Sequence, residues 1–246
     1  MQALGWQVCA LTPAVVLLGY VIFGMVGFGA TITNAPLLAQ LLPLRFVVPL
    51  TLLLDLFASI TLGARMRGQA DRAELRRILP ATGLGLALGL FLLIRLPERV
   101  LLLLLGCFVL YAGFSSLARR PGAARLHPAW AIPAGIMGGA FSALYGTGGP
   151  IYTIYLSRRI AGKSVFRATM ARLILTVGLV RIVLFAASGL LAQDYLLLAA
   201  LLLVPFAALG LVLGNWLHQR LPARRILLLV YVLIIVNGAA LIVRTW

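Results

Sequence analysis

Stretches of about 20 mostly apolar residues recur along nearly the whole chain with little between them, the length one helix needs to cross a bilayer core of roughly 30 Å. They fall at about 11–30, 46–64, 78–94, 99–118, 129–145, 168–190, 195–217 and 225–243. No soluble core absorbs that much apolar surface. Charged residues make up only 11% of the 246 residues, against about a quarter in a typical soluble domain. The pattern predicts an all-α membrane protein with many crossings.

The net charge of +16 would suggest a nucleic-acid binder in a soluble chain, but here the arginines gather at segment ends. There they act as topology determinants and contact anionic lipid. Cys9 and Cys107 lack metal-ligand spacing, so neither a disulfide nor a zinc site is expected. Residues 1–30 open without a positively charged n-region, so no cleaved signal peptide is expected. Trp6, Trp130, Trp216 and Trp246 fall near segment ends, as an aromatic belt requires. His127 and His218 join no ligand cluster or nucleophile arrangement. No phosphate loop, paired catalytic carboxylates or Cys-x-x-Cys site is present, so the chain is not expected to be an enzyme or to need a cofactor or metal.

An internal repeat carries more information. The run from Pro80 to Arg99 matches Pro205 to Arg224 at an offset of 125, with 11 of 20 positions identical. The shared residues include Gly85 with Gly210, Gly89 with Gly214, Pro97 with Pro222, and Arg95 with Arg220, none of which follows from leucine content. Upstream, Gly27-Phe-Gly29 aligns with Gly146-Thr-Gly148 at an offset of 119. Two transmembrane repeats are therefore predicted, residues 1–120 and 128–246, joined by a cytoplasmic linker at 121–127. Each glycine cluster, followed by Pro36 or Pro150, sits midway along an unusually long apolar stretch, where it can break a helix at membrane depth.

The placement of positive charge discriminates between topologies. Eight plain crossings would leave nine Lys/Arg residues on one side and ten on the other, against the positive-inside rule. If each glycine-broken stretch is instead a helical hairpin that returns to its side of entry, the same residues divide fifteen to four. The hairpin arrangement inverts the second repeat relative to the first and puts both termini outside. Re-entrant and full-depth hairpins give the same count.

Paired helix breaks in two halves point to a transporter binding site. A broken helix exposes backbone N–H groups at a half-helix N-terminus, where the dipole favours an anion. The candidates for substrate binding are Gly27, Gly29, Thr31 and Asn34 at the first break, and Gly146, Thr147, Gly148, Gly149 and Tyr152 at the second. Thr33 and Thr153 are further polar groups there. The competing interpretation is close helix packing through small residues. Charges inside segments are costly unless partnered or facing a water-filled cavity. Asp55 and Arg181 lie mid-segment, and Arg172 lies one turn inside its boundary, within reach of the interface. Asp55 forms a structural ion pair with one of these arginines, or it carries a coupling proton while Arg181 attracts an anion.

At these glycine clusters the sequence resembles the sulfite exporter TauE/SafE permease family. The matching features are Gly27-Phe-Gly29 with Pro36, Gly146-Thr-Gly148-Gly149-Pro150, the run Phe166-Arg-Ala-Thr169, and the glycine-spaced segments 83–89 and 208–214. The first break departs from the richer pattern with Ala30 where the second has Gly149. The resemblance implies a multi-pass permease of the bacterial inner membrane that moves sulfite, sulfonates or related sulfur oxyanions, driven by an ion gradient. The expected partners are a small anionic substrate and membrane lipids, with no nucleic acid; the sequence leaves the oligomeric state open, a homodimer included. A membrane scaffold or assembly factor, whose glycines only pack helices, is the alternative from another class.

Overall fold

A computed structural model describes residues 2–26, 30–63, 70–117 and 126–220, so Gly27, Gly29 and the apolar segment at 225–243 lie outside the described residues. Among the described residues every regular element is a helix: α1 (Gln2–Val26), α2 (Ala30–Leu38), α3 (Leu44–Gly63), α4 (Arg72–Arg95), α5 (Glu98–Leu117), α6 (Ala131–Tyr145), α7 (Gly149–Ser157), α8 (Lys163–Ala187) and α9 (Leu196–Arg220). Four stretches, Leu44–Thr61, Arg72–Arg95, Ser164–Ala187 and Leu196–Leu217, are long and apolar enough to cross a membrane. Leu84, Leu88 and Phe91 on α4 and Leu201, Leu209 and Val212 on α9 are exposed. Such continuous apolar faces are a liability in water and the required surface in lipid.

Glycines set the tightest helix pairings. A Cβ at Gly85 or Gly89 would collide with the backbone of Ile136 or Ala140, and one at Gly139 with the Thr82 carbonyl, so α4 lies flush along α6. A Cβ at Gly210 or Gly214 would likewise strike the backbone of Leu17 or Val21, so α9 lies flush along α1. In both pairs the contacts advance together along the two chains, so the partners run parallel. The matched glycines at offset 125 thus do matched work: each packs the fourth helix of one half against the first helix of the other. Gly83, with open space around it, takes no part.

Both glycine-broken stretches fold back on themselves. Gly138 lies against the Tyr152 ring and Gly148 against Ser142, pairings centred on the break, so α7 returns antiparallel along α6. Gly146 closes α6 at φ +74°, a left-handed conformation that favours glycine. The Thr147 N–H donates to the Phe141 carbonyl and the Gly146 N–H to the Ser142 carbonyl, tying off the carbonyls of the last turn. Pro150 sits in the first turn of α7, where a missing N–H costs nothing. In the first half, Gly19 leaves room for the Asn34 side chain, which brings α2 back along α1. The returning arms have nine residues each, about 14 Å of helix, or half the bilayer core.

Contacts between connections define two faces. On one, Arg45 donates to the carbonyls of Leu93 (3.2 Å), Ile94 (2.8 Å) and Leu96 (3.2 Å). There Glu98 accepts from the Leu44 N–H at 2.8 Å and Gln193 donates to the Arg45 carbonyl at 2.9 Å. On the other, Glu74 accepts from Arg77 (2.8 Å), Arg159 (2.7 Å) and the Tyr155 phenol (2.6 Å). Beside them the Asp71 N–H donates to Thr169 Oγ1 at 2.9 Å. Helix α4 spans from one face to the other. Eight plain crossings would have set Arg159 with Arg45 and Arg95; it bonds Glu74 instead, because α7 turns back. Among the described residues one face carries Arg72, Arg76, Arg77, Arg158, Arg159, Lys163, Arg167 and Arg220, and the other only Arg45, Arg95 and Arg99. Trp130 and Trp216 also lie toward the basic face, where the Arg220 guanidinium sits 4.3 Å from the Trp216 ring centre.

Candidate functional site

The first turn of α2 and the tip of the second hairpin meet in the interior. The Thr31 methyl, in the first turn of α2, occupies the space a Cβ on Gly146 would need, so the left-handed glycine lets the second tip close on α2. Where they meet lies a cavity of about 80 Å³. On the same scale one water needs about 10–15 Å³, so the space suits a few waters or one compact ion. Helices α3 and α8 supply its side walls: Asp55 and Ser59 from one, Ile174, Val177, Gly178 and Arg181 from the other. The tips contribute Thr31, Gly146, Thr147, Gly149 and Pro150, with Ser142 and Tyr152 behind them.

The electrostatics are uneven. Asp55 is held by two hydroxyl donors: Tyr20 Oη gives to Oδ1 at 2.7 Å, and Thr31 Oγ1 gives a short bond to Oδ2. Arg181 has no such shell. It is 4% exposed, its guanidinium lies 5.3 Å from the Phe185 ring centre, and Nε and Nη2 have no hydrogen-bond partner among the described residues. No ion pair within 4 Å joins it to Asp55, although both line the cavity. A buried guanidinium whose N–H groups meet no acceptor is costly unless an anion or ordered water completes it. The Thr147 hydroxyl, also buried, is a second polar group without a partner there.

Of the candidates from sequence, Thr31, Gly146, Thr147, Gly149, Tyr152, Asp55 and Arg181 line this one cavity. Asn34 does not: it is fully buried and packs into the notch left by Gly19. Gly148 lies against Ser142 Oγ and the Gly138 carbonyl, a close-packing position rather than a cavity wall. Arg172 is exposed, nine positions and about 14 Å of helix from Arg181, and pairs with no acid in the described residues. Thr153 bonds back to the Gly149 carbonyl at 2.8 Å. Tyr20, through Asp55, and Ser142, in the cavity wall, join the site beyond those candidates. Ser142 precedes Gly146 by four residues and so shares its helix face, a readable signal; Tyr20 lies 35 residues from Asp55, and no spacing links them.

A second polar cluster lies at the basic face. Glu74, 3% exposed in the first turn of α4, gathers Arg77, Arg159 and Tyr155, and Arg159 also donates to the Leu126 carbonyl at 3.1 Å. The hydrogen bond to the Glu74 carboxylate pushes the Arg159 guanidinium above its ordinary value. The cluster fastens the returning arm of the second hairpin to the first half.

Paired helical hairpins around a small cavity that holds a few polar groups, in a chain with long apolar helices, are a permease architecture. The TauE/SafE sulfite exporter family profile matches residues 11–241. The chain belongs to the TauE/SafE sulfite exporter family. Its members are transporters rather than enzymes, and this chain is a multi-pass membrane transporter. It is also similar to the probable inner membrane transporter protein TsaS of Comamonas testosteroni, at 29% identity over 198 residues, covering 80% of this chain and 83% of that protein. No solved structure matches this TauE/SafE chain.

Proposed function

We propose that the protein is a secondary transporter that moves a small anion, sulfite, a sulfonate or a related sulfur oxyanion, across the bacterial inner membrane. The observation that carries this reading is Arg181: a buried guanidinium with two unpartnered nitrogens, facing a cavity of ion size between two helix breaks. The N-terminus of α7 adds a favourable dipole for an anion, and Thr31 and Thr147 add hydroxyls. Glycine at 146 and 149 lets the backbone approach the ligand closely.

The two halves act as inverted repeats. Helix α4 runs from the basic face outward, and its equivalent α9 runs the other way; α3 and α8 are opposed in the same manner. The basic face is cytoplasmic by the positive-inside rule, which leaves both termini periplasmic. The reciprocal α4–α6 and α9–α1 pairings make two similar bodies that rock about the central site, each exchange of arrangement opening it to the opposite side. A scaffold would need neither the cavity nor the unpaired guanidinium.

Purified protein in liposomes tests the proposal against a panel of sulfite, thiosulfate and sulfonates. At least one anion moves with saturable kinetics, and Arg181→Gln lowers its flux at subsaturating concentration by about thirtyfold or more, as expected for losing one partner of a buried charge pair. Saturable flux unchanged in Arg181→Gln would place the anion elsewhere.

A further inference from the structure

Asp55 faces the same cavity as Arg181 without pairing with it, and its two oxygens are spoken for by hydroxyl donors on two different elements, Tyr20 on α1 and Thr31 on α2. We propose that Asp55 is the proton site of a proton–anion cotransport cycle, in which one proton on its carboxylate accompanies one anion on Arg181. This inference rests on the anion-site reading above.

Charge balance is the first support. With Asp55 ionised and Arg181 protonated, the cavity is neutral overall; a monoanion entering it leaves one net negative charge in a low-dielectric interior, which is costly. A proton on Asp55 restores neutrality. The groups that bond Asp55 or share its cavity, Tyr20 from α1, Thr31 from α2, Tyr152 from α7 and Arg181 from α8, include no second acid to take the proton in its place. Helix α9, packed against α3, carries no Asp, Glu, Lys or Arg before Arg220.

Hydrogen-bond direction is the second support. An ionised carboxylate only accepts, so the Thr31 hydroxyl must spend its hydrogen on Oδ2. When a proton from the aqueous side forms an O–H bond at Oδ2, that oxygen becomes a donor. Thr31 Oγ1 then accepts from it and is free to turn its own hydrogen into the cavity, toward an anion oxygen. When the anion leaves, the proton leaves Oδ2 and Thr31 returns to Asp55. Thr31 also fills the space against Gly146, so the switch sits at the contact between the two hairpin tips, where it favours closure only when proton and anion are both present.

The test uses methanesulfonate, a monoanion across the working pH range, in liposomes carrying a trapped pH dye, with the membrane potential clamped at zero. One proton per anion predicts about tenfold accumulation for a pH difference of one unit, with internal pH moving in step. Asp55→Asn should lose both accumulation and proton movement, any anion uptake that remains being indifferent to the pH difference. Anion flux in the unmodified protein without a pH response would overturn the proposal and leave the transport reading standing; so would pH-driven accumulation that survives in Asp55→Asn. If Asp55→Asn fails to fold, Tyr20→Phe decides: losing one donor to the ionised carboxylate moves the pH midpoint of transport upward, and an unmoved midpoint counts against Asp55. No flux of any anion above empty liposomes overturns the transport reading and this one with it.

Discussion

Arg181 sits one helical turn before Phe185, whose ring takes one side of the guanidinium and leaves Nε and Nη2 to the cavity. A planar fork in that position suits two oxygens of one oxyanion, which an ammonium cannot engage in the same way. Arg181→Lys should therefore keep the protein folded and retain some flux, with an apparent affinity for whichever anion of the panel is transported about tenfold weaker or worse, measured as the concentration for half-maximal uptake. Gly148 behaves differently. Because Ser142 and the Gly138 carbonyl occupy the space beside it, Gly148→Leu should abolish folded, monodisperse protein rather than remove a ligand contact, as size-exclusion chromatography in detergent will show. The mid-segment charges Asp55 and Arg181 were legible in the sequence because lipid tolerates them so poorly. Their hydroxyl and aromatic surroundings were not, since Tyr20 and Thr31 reach Asp55 only through the packing of three helices.

At the level of elements, backbone proximity at glycine holds the two halves together. Gly89 on α4 and Gly214 on α9 touch partner backbones directly, whereas Gly83 faces open space. Gly89→Leu and Gly214→Leu should each lower stability by more than about 1–3 kcal/mol, the cost of overpacking a well-filled contact, and Gly83→Leu should leave the thermal midpoint in detergent nearly unchanged. The repeat made these glycines visible and placed them in matched segments, but not their partners. The pairing of α4 with α6 and of α9 with α1 crosses between halves, and sequence similarity within each half says nothing of it. The Glu74 cluster was likewise hidden, because its acceptor and Arg159 are 85 residues apart and meet only once α7 has turned back. Glu74→Gln should cost about 1–3 kcal/mol of stability by leaving Arg159 without its charged acceptor, read as a lower thermal midpoint.

For the molecule as a whole, the apolar segments made membrane embedding plain, and the glycine breaks together with the arginine distribution indicated a chain that twice returns to its side of entry. The Arg159–Glu74 bond agrees with that return for the second hairpin. Single-cysteine variants in a background without Cys9 and Cys107 extend the test: Ala70→Cys, Gly122→Cys, Gly162→Cys and Pro222→Cys should all react with an impermeant thiol reagent from the cytoplasmic side only. Eight plain crossings would divide them between the two sides. The short returning arms, nine residues each, leave a small cavity beside them. A carrier built this way must present that site to one side at a time. The most direct test is uptake of labelled thiosulfate, sulfite and methanesulfonate into liposomes holding either buffer or the same unlabelled anion. Saturable uptake of at least one of them, accelerated by unlabelled anion on the far side, is the predicted result; uptake no greater than in protein-free liposomes for all three would contradict it.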